Sequence, residues 1–441
     1  MTDVSWNVST QYAITKFMSV YPSRPSASFL LQQAASLLLY QSVLADEVGQ
    51  AFLELLQRLK EQRDRALCLQ AYGTWFKALA ASQQSWEDYL VQRILYDDNP
   101  FSQQVQSTPL EKLPPALVNA AQVDLKSLQE LYHCGSDTLS RWVQSGCQLN
   151  HTLIPWEKPI ATDHFLHQQD DWQSVLPQLA SHYQTYGCGR FARYRAFTWQ
   201  RGELTGISHP DPIKTTEIVG YEWQKEKLVQ NTKFLLRGYS ALNVLLYGSR
   251  GSGKSSLVKG LLNEYAQDGL RLVEVPKSEL QNLPLILEQV RDLPQKFIIF
   301  VDDLSFEEDD DSFKALKVVL EGNITARSRN VVVYATSNRR HLIREFFEDR
   351  PRPSDQDEVH AWDTVQEKLS FSDRFGLTLT FEPPNQDRYL EIVHHLAKVA
   401  QISLPKEDLE FRAKQWATRH NGRSGRSARQ FIDFLQGELG V

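Results

Sequence analysis

The residues most able to do chemistry are the eight of Gly248-Ser-Arg-Gly-Ser-Gly-Lys254-Ser255. They follow the apolar run NVLLY and open the helical pattern SSLVKGLLNEYA. Glycines at Gly248, Gly251 and Gly253 let the backbone around Ser249, Arg250 and Ser252 wrap an anion with successive N–H groups. The helix that begins at Lys254, Ser255 and Ser256 adds its positive dipole end. Lys254 is then placed to neutralise β- and γ-phosphates, and the Ser255 hydroxyl to reach Mg²⁺. A flexible glycine turn with a solvated lysine would not need every one of these positions filled.

Further polar groups recur at the ends of apolar runs. Phe297–Val301 ends in Asp302 and Asp303, which puts two carboxylates at the edge of a sheet beside the phosphate loop. Asp302 is read as the Mg²⁺ holder and Asp303 as the group that orients or deprotonates an attacking water. The run NVVVYATSN ends in Asn338, whose amide suits a γ-phosphate or a water. Arg374, in SDRFG, is either a guanidinium reaching a neighbouring subunit's γ-phosphate or one half of a surface ion pair with Asp373. Arg429, near the start of the last helical pattern, is either a phosphate contact or part of a solvated basic turn. His394 and His395 are adjacent, so they point to different sides of a helix and cannot act as an i, i+4 metal pair.

These residues need a scaffold, and the second half of the chain reads as one. Asn243–Tyr247, Leu270–Val275, Phe297–Val301, Val331–Thr336 and Leu377–Phe381 are short apolar runs separated by helix-length segments. That alternation predicts a parallel five-stranded sheet covered on both faces. After Asn385 only helical periodicity remains, which predicts a helical appendage. The first half reads as mostly α-helical, with apolar spacing over Ala27–Leu59 and Arg63–Ala80. Trp75, Trp86, Trp142, Trp156, Trp172 and Trp199 are read as packing, because no basic run accompanies most of them. Arg190, Arg193 and Arg195 lie among aromatic residues and read as a solvated connector, with phosphate contact as the alternative.

Composition sets limits. At 441 residues with a net charge of −6, the chain is too acidic for a generic nucleic-acid coat and long enough for two or three domains. Charged side chains number 35 in positions 1–210 and 67 in 211–441, which places a seam near GELTGISHPDPIKTTE. The four cysteines are scattered and form no C-x-x-C pair, which fits a reducing, cytoplasmic setting. The start, MTDVSWNVSTQYAITKF, has no signal-peptide pattern. SFLLQQAASLLLYQSVLA is long enough to span a bilayer, but glutamines and serines at helical spacing make it an amphipathic core helix instead. The acidic Glu307–Asp311 reads as a solvated loop.

The order of phosphate loop, acidic strand, Asn-tipped strand, arginine before the fifth strand and arginine on a late helix resembles AAA+ ATPases. More closely, GYEWQKEKLVQNTKFLLRG, FVDDLSFE, YATSNRRHLI, EKLSFSDRFGL and GRSGRSARQF resemble a bacterial family of uncharacterised predicted AAA+ ATPases catalogued as a domain of unknown function. The resemblance covers about Asp211–Leu435. It implies an α/β P-loop NTPase (AAA+) module with a parallel five-stranded sheet and a C-terminal helical lid, behind a mostly α-helical N-terminal domain. The expected division is 1–200 for the helical domain, 201–217 for a linker, 218–384 for the nucleotide-binding module and 385–441 for the lid.

The resemblance also implies roles. Lys254 and Ser255 fall in Walker A, Asp302 and Asp303 in Walker B, Asn338 at sensor 1, Arg374 at the arginine finger and Arg429 at sensor 2. Val219 and Gly220 fall where adenine is packed. ATP and Mg²⁺ are the implied cofactors, and a homo-oligomer acting on a protein client through the N-terminal helices is the implied assembly. Two alternatives stand beside it. A DNA-associated ATPase would use the basic tail of Arg412, Lys414, Arg419, Arg423, Arg426 and Arg429. A slow or non-hydrolysing switch is suggested by Asp303, which stands where most such proteins have Glu and retracts the carboxylate by about 1.5 Å.

Overall fold

The computed structural model describes residues 26–61, 63–158, 160, 164–306, 312–321, 328–338, 371–420 and 422–440. The opening segment that bears on a signal peptide, the acidic Glu307–Asp311 loop and the residues just beyond Asn338 lie outside the described residues. The chain divides into two compact units, the first through residue 180 and the second from residue 181, which also includes 105–107.

The first unit is helical. Its helices are α1 (Ala27–Ala35), α2 (Glu47–Glu61), α3 (Arg65–Ser82), α4 (Trp86–Leu95), α5 (Pro100–Val105), α6 (Pro115–Tyr132) and α7 (Ser136–Gly146), with α8 (Leu176–Tyr186) crossing into the second unit. The amphipathic helix expected over SFLLQQAASLLLYQSVLA (28–45) stops at Ala35, and a buried carboxylate explains the break. Asp124 on α6 accepts the backbone N–H groups of Leu38, Leu39 and Tyr40 at 2.7–3.0 Å, so those donors leave the helical ladder. Asp46 then caps the next helix by accepting the Gly49 N–H at 3.1 Å. No helix among the described residues is long and apolar enough to cross a membrane. Trp75 and Trp86 are fully buried, and Trp86 stacks on Phe52 with ring centroids 4.1 Å apart. The four cysteines are buried thiols.

In the second unit the short α9 (Gly189–Arg193) leads into a sheet of seven strands: β1 (Ala196–Gln200), β2 (Glu203–Ile207), β3 (Val244–Gly248), β4 (Leu270–Glu274), β5 (Lys296–Val301), β6 (Val331–Ser337) and β7 (Leu377–Phe381). The spatial order is β2-β1-β4-β5-β6-β3-β7. All neighbours are parallel except the β1–β2 hairpin. The expected five strands are present, but two more extend the sheet at one edge. The hairpin was missed because its strands fall in stretches that the sequence reads as a connector around Arg195 and as the turn-rich seam GELTGISHPDPIKTTE. Its pairing also puts strand structure inside the stretch 201–217, which the sequence suggested as a linker.

Alternation within each strand builds two cores. Phe297, Ile299 and Val301 of β5 pack with Val331, Val333 and Ala335 of β6 on one face. There they meet α12 (Leu283–Val290) and α13 (Ser312–Glu321) through Ile286, Val290, Leu316 and Leu320. Ile298, Phe300, Val332 and Tyr334 point to the other face. That face is covered by α10 (Glu222–Leu236) and α11 (Lys254–Tyr265) through Leu228, Leu235, Leu257, Val258 and Leu261. Burial on both faces is why these strands are apolar throughout. After β7 come α14 (Gln386–Val399), α15 (Lys406–Arg419) and α16 (Gly425–Leu439), which enclose their own small core around Tyr389, Val393, Ala413, Phe431 and Ile432.

Candidate functional site

β3 sits between β6 and β7, and β6 separates it from the acidic strand β5. The C-terminal ends of three adjacent strands therefore deliver the glycine loop, Asn338 and the two aspartates to one edge. Around them is a cavity of about 870 Å³ lined by residues 250–256 of the loop, by Asp302, Asp303, Thr336 and Asn338, and by side chains from two other segments.

The loop is shaped by positive backbone angles at Gly248 (φ 143°), Gly251 (φ 74°) and Gly253 (φ 88°). A Cβ at Gly248 would lie 2.0 Å from the Phe381 carbonyl oxygen of β7, and one at Gly251 would lie 3.0 Å from Ser424 and Arg426. Gly253 caps α11, so the free N–H groups of the helix start face the cavity. Lys254 is buried, and its ammonium donates to the carbonyls of Gly248 (3.0 Å) and Ser249 (2.7 Å). Burial lowers its pKa; Asp302 and Asp303 oppose that shift. Ser249 Oγ is buried with no hydrogen-bond partner among the described residues. Together, a lysine inside a glycine cradle and the helix-start donors fit a polyphosphate.

The acidic pair is held by hydroxyls. Ser255 Oγ donates to Asp302 Oδ1 at 2.6 Å, and Thr336 Oγ1 donates to the same oxygen at 2.5 Å. The Thr336 hydroxyl also accepts the Asp303 N–H at 2.9 Å. Asp303 has a left-handed backbone (φ 51°), and its carboxylate accepts a hydrogen bond from Asn338 Nδ2 at 2.5 Å. A hydroxyl and a carboxylate oxygen side by side at a polyphosphate cradle form a donor set suited to Mg²⁺.

The other walls come from elsewhere in the sequence. Asp211–Ile213 is tied to α11, because Asn263 Nδ2 donates to the carbonyls of Asp211 and Ile213, each at 2.7 Å. Ile213, Ile218 and Val219 line the cavity together with Ile392 and Leu396 of α14. These apolar side chains suit the flat face of a base. From α16, Arg426 and Arg429 line the cavity. Arg426 N–H donates to the Gly251 carbonyl at 3.1 Å. Arg429 Nη2 pairs with Glu217 Oε2 at 2.6 Å. Burial would raise the Glu217 pKa, but the Arg429 hydrogen bond, the Lys214 N–H and both cations outweigh it and hold the carboxyl below its ordinary range.

Of the residues singled out in the sequence, Val219, Arg250 to Ser256, Asp302, Asp303, Asn338 and Arg429 line the cavity. Gly220, Gly248, Ser249 and Arg374 do not. Gly220 (φ 88°) turns the chain beneath Arg388, and Gly248 closes the loop against β7. Arg374 sits in the turn Phe371–Arg374 before β7, outside its own chain's cavity. Sequence reasoning missed Glu217, Thr336, Ile392, Leu396 and, as a wall of this cavity, Arg426. Only Ile392 and Leu396 carried a signal, as an i, i+4 apolar pair on α14.

No curated protein matches the chain. Among solved structures, the Thermotoga maritima RuvB Holliday junction branch migration motor is similar at 15% identity, over 51% of this chain and 72% of that one, with a TM-score of 0.32. The FIGL-1 AAA domain in complex with ADP is similar at 20% identity, over 50% and 72%, with a TM-score of 0.35. A family model matches residues 192–439, from just before β1 to the end of α16, and the chain belongs to that family, described as a protein of unknown function (DUF815).

Proposed function

We propose that the chain is an AAA+ ATPase that binds Mg·ATP in this cavity and hydrolyses it to act on a macromolecular partner. The observation that carries the reading is the convergence of Lys254 in its glycine cradle, the Ser255–Asp302 contact at 2.6 Å and the Asn338–Asp303 contact at 2.5 Å on one cavity. Lys254 and the loop N–H groups would hold the phosphates, while Ser255 and Asp302 would hold Mg²⁺, which neutralises charge on the β- and γ-oxygens. Asp303, oriented by Asn338, would accept a proton from the attacking water. Arg429 would contact the phosphates from α16, the last helix of a lid formed by α14–α16.

Arg374, outside its own cavity, is read as a finger for a neighbouring copy, which makes the working form a homo-oligomer. The helices of the first unit would recruit a protein client. The DNA reading is weaker because Arg426 and Arg429 of the basic tail line this cavity and Arg412 and Lys414 sit among acidic side chains. Arg412 pairs with Asp408 and Glu438, Lys414 with Glu410, and Arg429 with Glu217.

Calorimetry with Mg·ATP tests the reading directly. Lys254→Ala should lose most of the affinity, because the phosphates lose the buried cation. Unchanged affinity in that variant removes the phosphate-loop assignment.

A further inference from the structure

Arg429 has two possible partners in this cavity, and the structure shows it with one of them. Its guanidinium meets Glu217 at 2.6 Å, and Glu217 is itself fixed, because its other carboxylate oxygen accepts the Lys214 N–H at 3.1 Å. The pair joins two rims. Glu217 precedes Ile218, whose methyl lies 3.5 Å from where a Cβ on Gly253 would be. Arg429 lies one turn along α16 from Arg426, whose N–H is bonded to the loop carbonyl of Gly251. Both members of the pair line the cavity that holds Lys254.

We infer that Glu217 is a specificity-determining residue of this nucleotide site: it holds Arg429 away from the terminal phosphate, and so sets how strongly the site prefers a nucleoside triphosphate to a diphosphate. The inference rests on the nucleotide reading given above. Of the five N–H donors of the guanidinium only Nη2 meets Glu217, so the carboxylate and a terminal phosphate compete for where the guanidinium sits. The terminal phosphate carries more charge than a carboxylate and can draw the arginine across. The exchange is feasible because the pair is accessible, with side-chain exposures of 41% for Arg429 and 20% for Glu217. A diphosphate has no third phosphate to draw it, so Arg429 stays on Glu217. The cost of parting the pair therefore falls on triphosphate binding alone.

Glu217→Gln keeps the shape and an oxygen for the Lys214 N–H while removing the charge that competes for Arg429. Calorimetry with Mg²⁺ and either a non-hydrolysable ATP analogue or ADP gives the ratio of the ADP to the analogue dissociation constant. That ratio should rise about two- to five-fold, the range expected for releasing one exposed ion pair. In an Arg429→Ala background the same substitution should leave the ratio where Arg429→Ala alone put it. If Glu217→Gln does not fold, Glu217→Asp, which retracts the carboxylate from Arg429, should shift the ratio the same way by less. A ratio unmoved or lowered by Glu217→Gln, or moved equally with and without Arg429, overturns the assignment while leaving nucleotide binding intact. A wild-type protein that binds neither nucleotide overturns this inference together with the nucleotide reading.

Discussion

The Thr336 hydroxyl is the most connected small group at the acidic edge, so its removal gives a sharp prediction. Thr336 is 2% exposed and links two residues: it donates to Asp302 Oδ1 at 2.5 Å and accepts the Asp303 N–H at 2.9 Å. Thr336→Val keeps the branched shape and deletes both hydrogen bonds. The Asp303 N–H is left with only a 3.2 Å contact to Asp302 Oδ1. Stability should fall by about 1–3 kcal/mol, the cost of a buried polar group losing its partner.

The effect on chemistry should be larger than the effect on binding. Asp302 loses one of two hydroxyl donors and Asp303 loses the anchor of its left-handed backbone, so both carboxylates are free to shift. A displacement of about 1 Å costs on the order of 10²-fold in rate. Phosphate-release assays should therefore show kcat down roughly 10- to 100-fold, with KM little changed because the glycine loop is untouched. Thr336→Ser restores the hydroxyl and should recover most of the loss, which a merely structural role for the side chain would not predict. A Val variant that turns over at the wild-type rate, or a Ser variant no better than Val, would refute the positioning role.

Other perturbations have equally definite outcomes. Gly248→Ala puts a Cβ 2.0 Å from the Phe381 carbonyl at a φ of 143°, so it should cost at least about 2 kcal/mol in chemical denaturation; a wild-type midpoint would mean the loop is not pinned to β7. Lys254 has its pKa lowered by burial, so it loses charge at a lower pH than an ordinary lysine. ATP affinity should accordingly weaken with rising pH before exposed lysines titrate, and binding there should take up a proton; affinity flat up to pH ~10.5, the ordinary lysine range, would contradict this. Arg374→Ala should bind ATP yet turn over poorly, and mixing it with Asp303→Asn should restore some activity, since an Asp303→Asn protomer still donates Arg374 to an Arg374→Ala protomer whose acidic site is intact. Mixed oligomers as inactive as their parents would end the reading of Arg374 as a finger acting in trans.

The parts of this molecule that were legible in the sequence are those whose physics is local. β5 and β6 were visible because burial on both faces makes a continuous apolar run, and Gly248–Ser255 because each position answers a local demand of backbone shape or charge. What escaped depends on contacts between distant segments. Glu217 and Arg429 are 212 positions apart, and Thr336 and Asp302 are 34 apart. Nothing in the residues around Glu217 indicates that an arginine from the last helix will reach it. The break in the helix expected over 28–45 has the same cause, since Asp124 sits 84 to 86 positions beyond the N–H groups it accepts. The β1–β2 hairpin escaped for a different reason: β1 follows the basic residues of a stretch that reads as a connector, and β2, the edge strand, has only one buried residue and lies in a turn-rich seam.

The aspartate at position 303 follows from the geometry around it. Its backbone is left-handed, a region that Asp and Asn enter far more readily than longer side chains. The turn is needed there, because the Asp303 N–H reaches back to Thr336 while the next N–H, of Leu304, bonds to the Thr336 carbonyl at 2.7 Å. With the backbone so placed, the short side chain brings its carboxylate to 2.5 Å from the Asn338 amide. A glutamate would carry that group about 1.5 Å further along the chain, past the amide. The retraction that looks like a defect when position 303 is considered alone is thus matched by Asn338, whose amide meets the shorter carboxylate, on a backbone held by the Thr336 hydroxyl. The acid, the amide and the hydroxyl form one unit, and in the proposed hydrolysis the rate would be a property of all three residues.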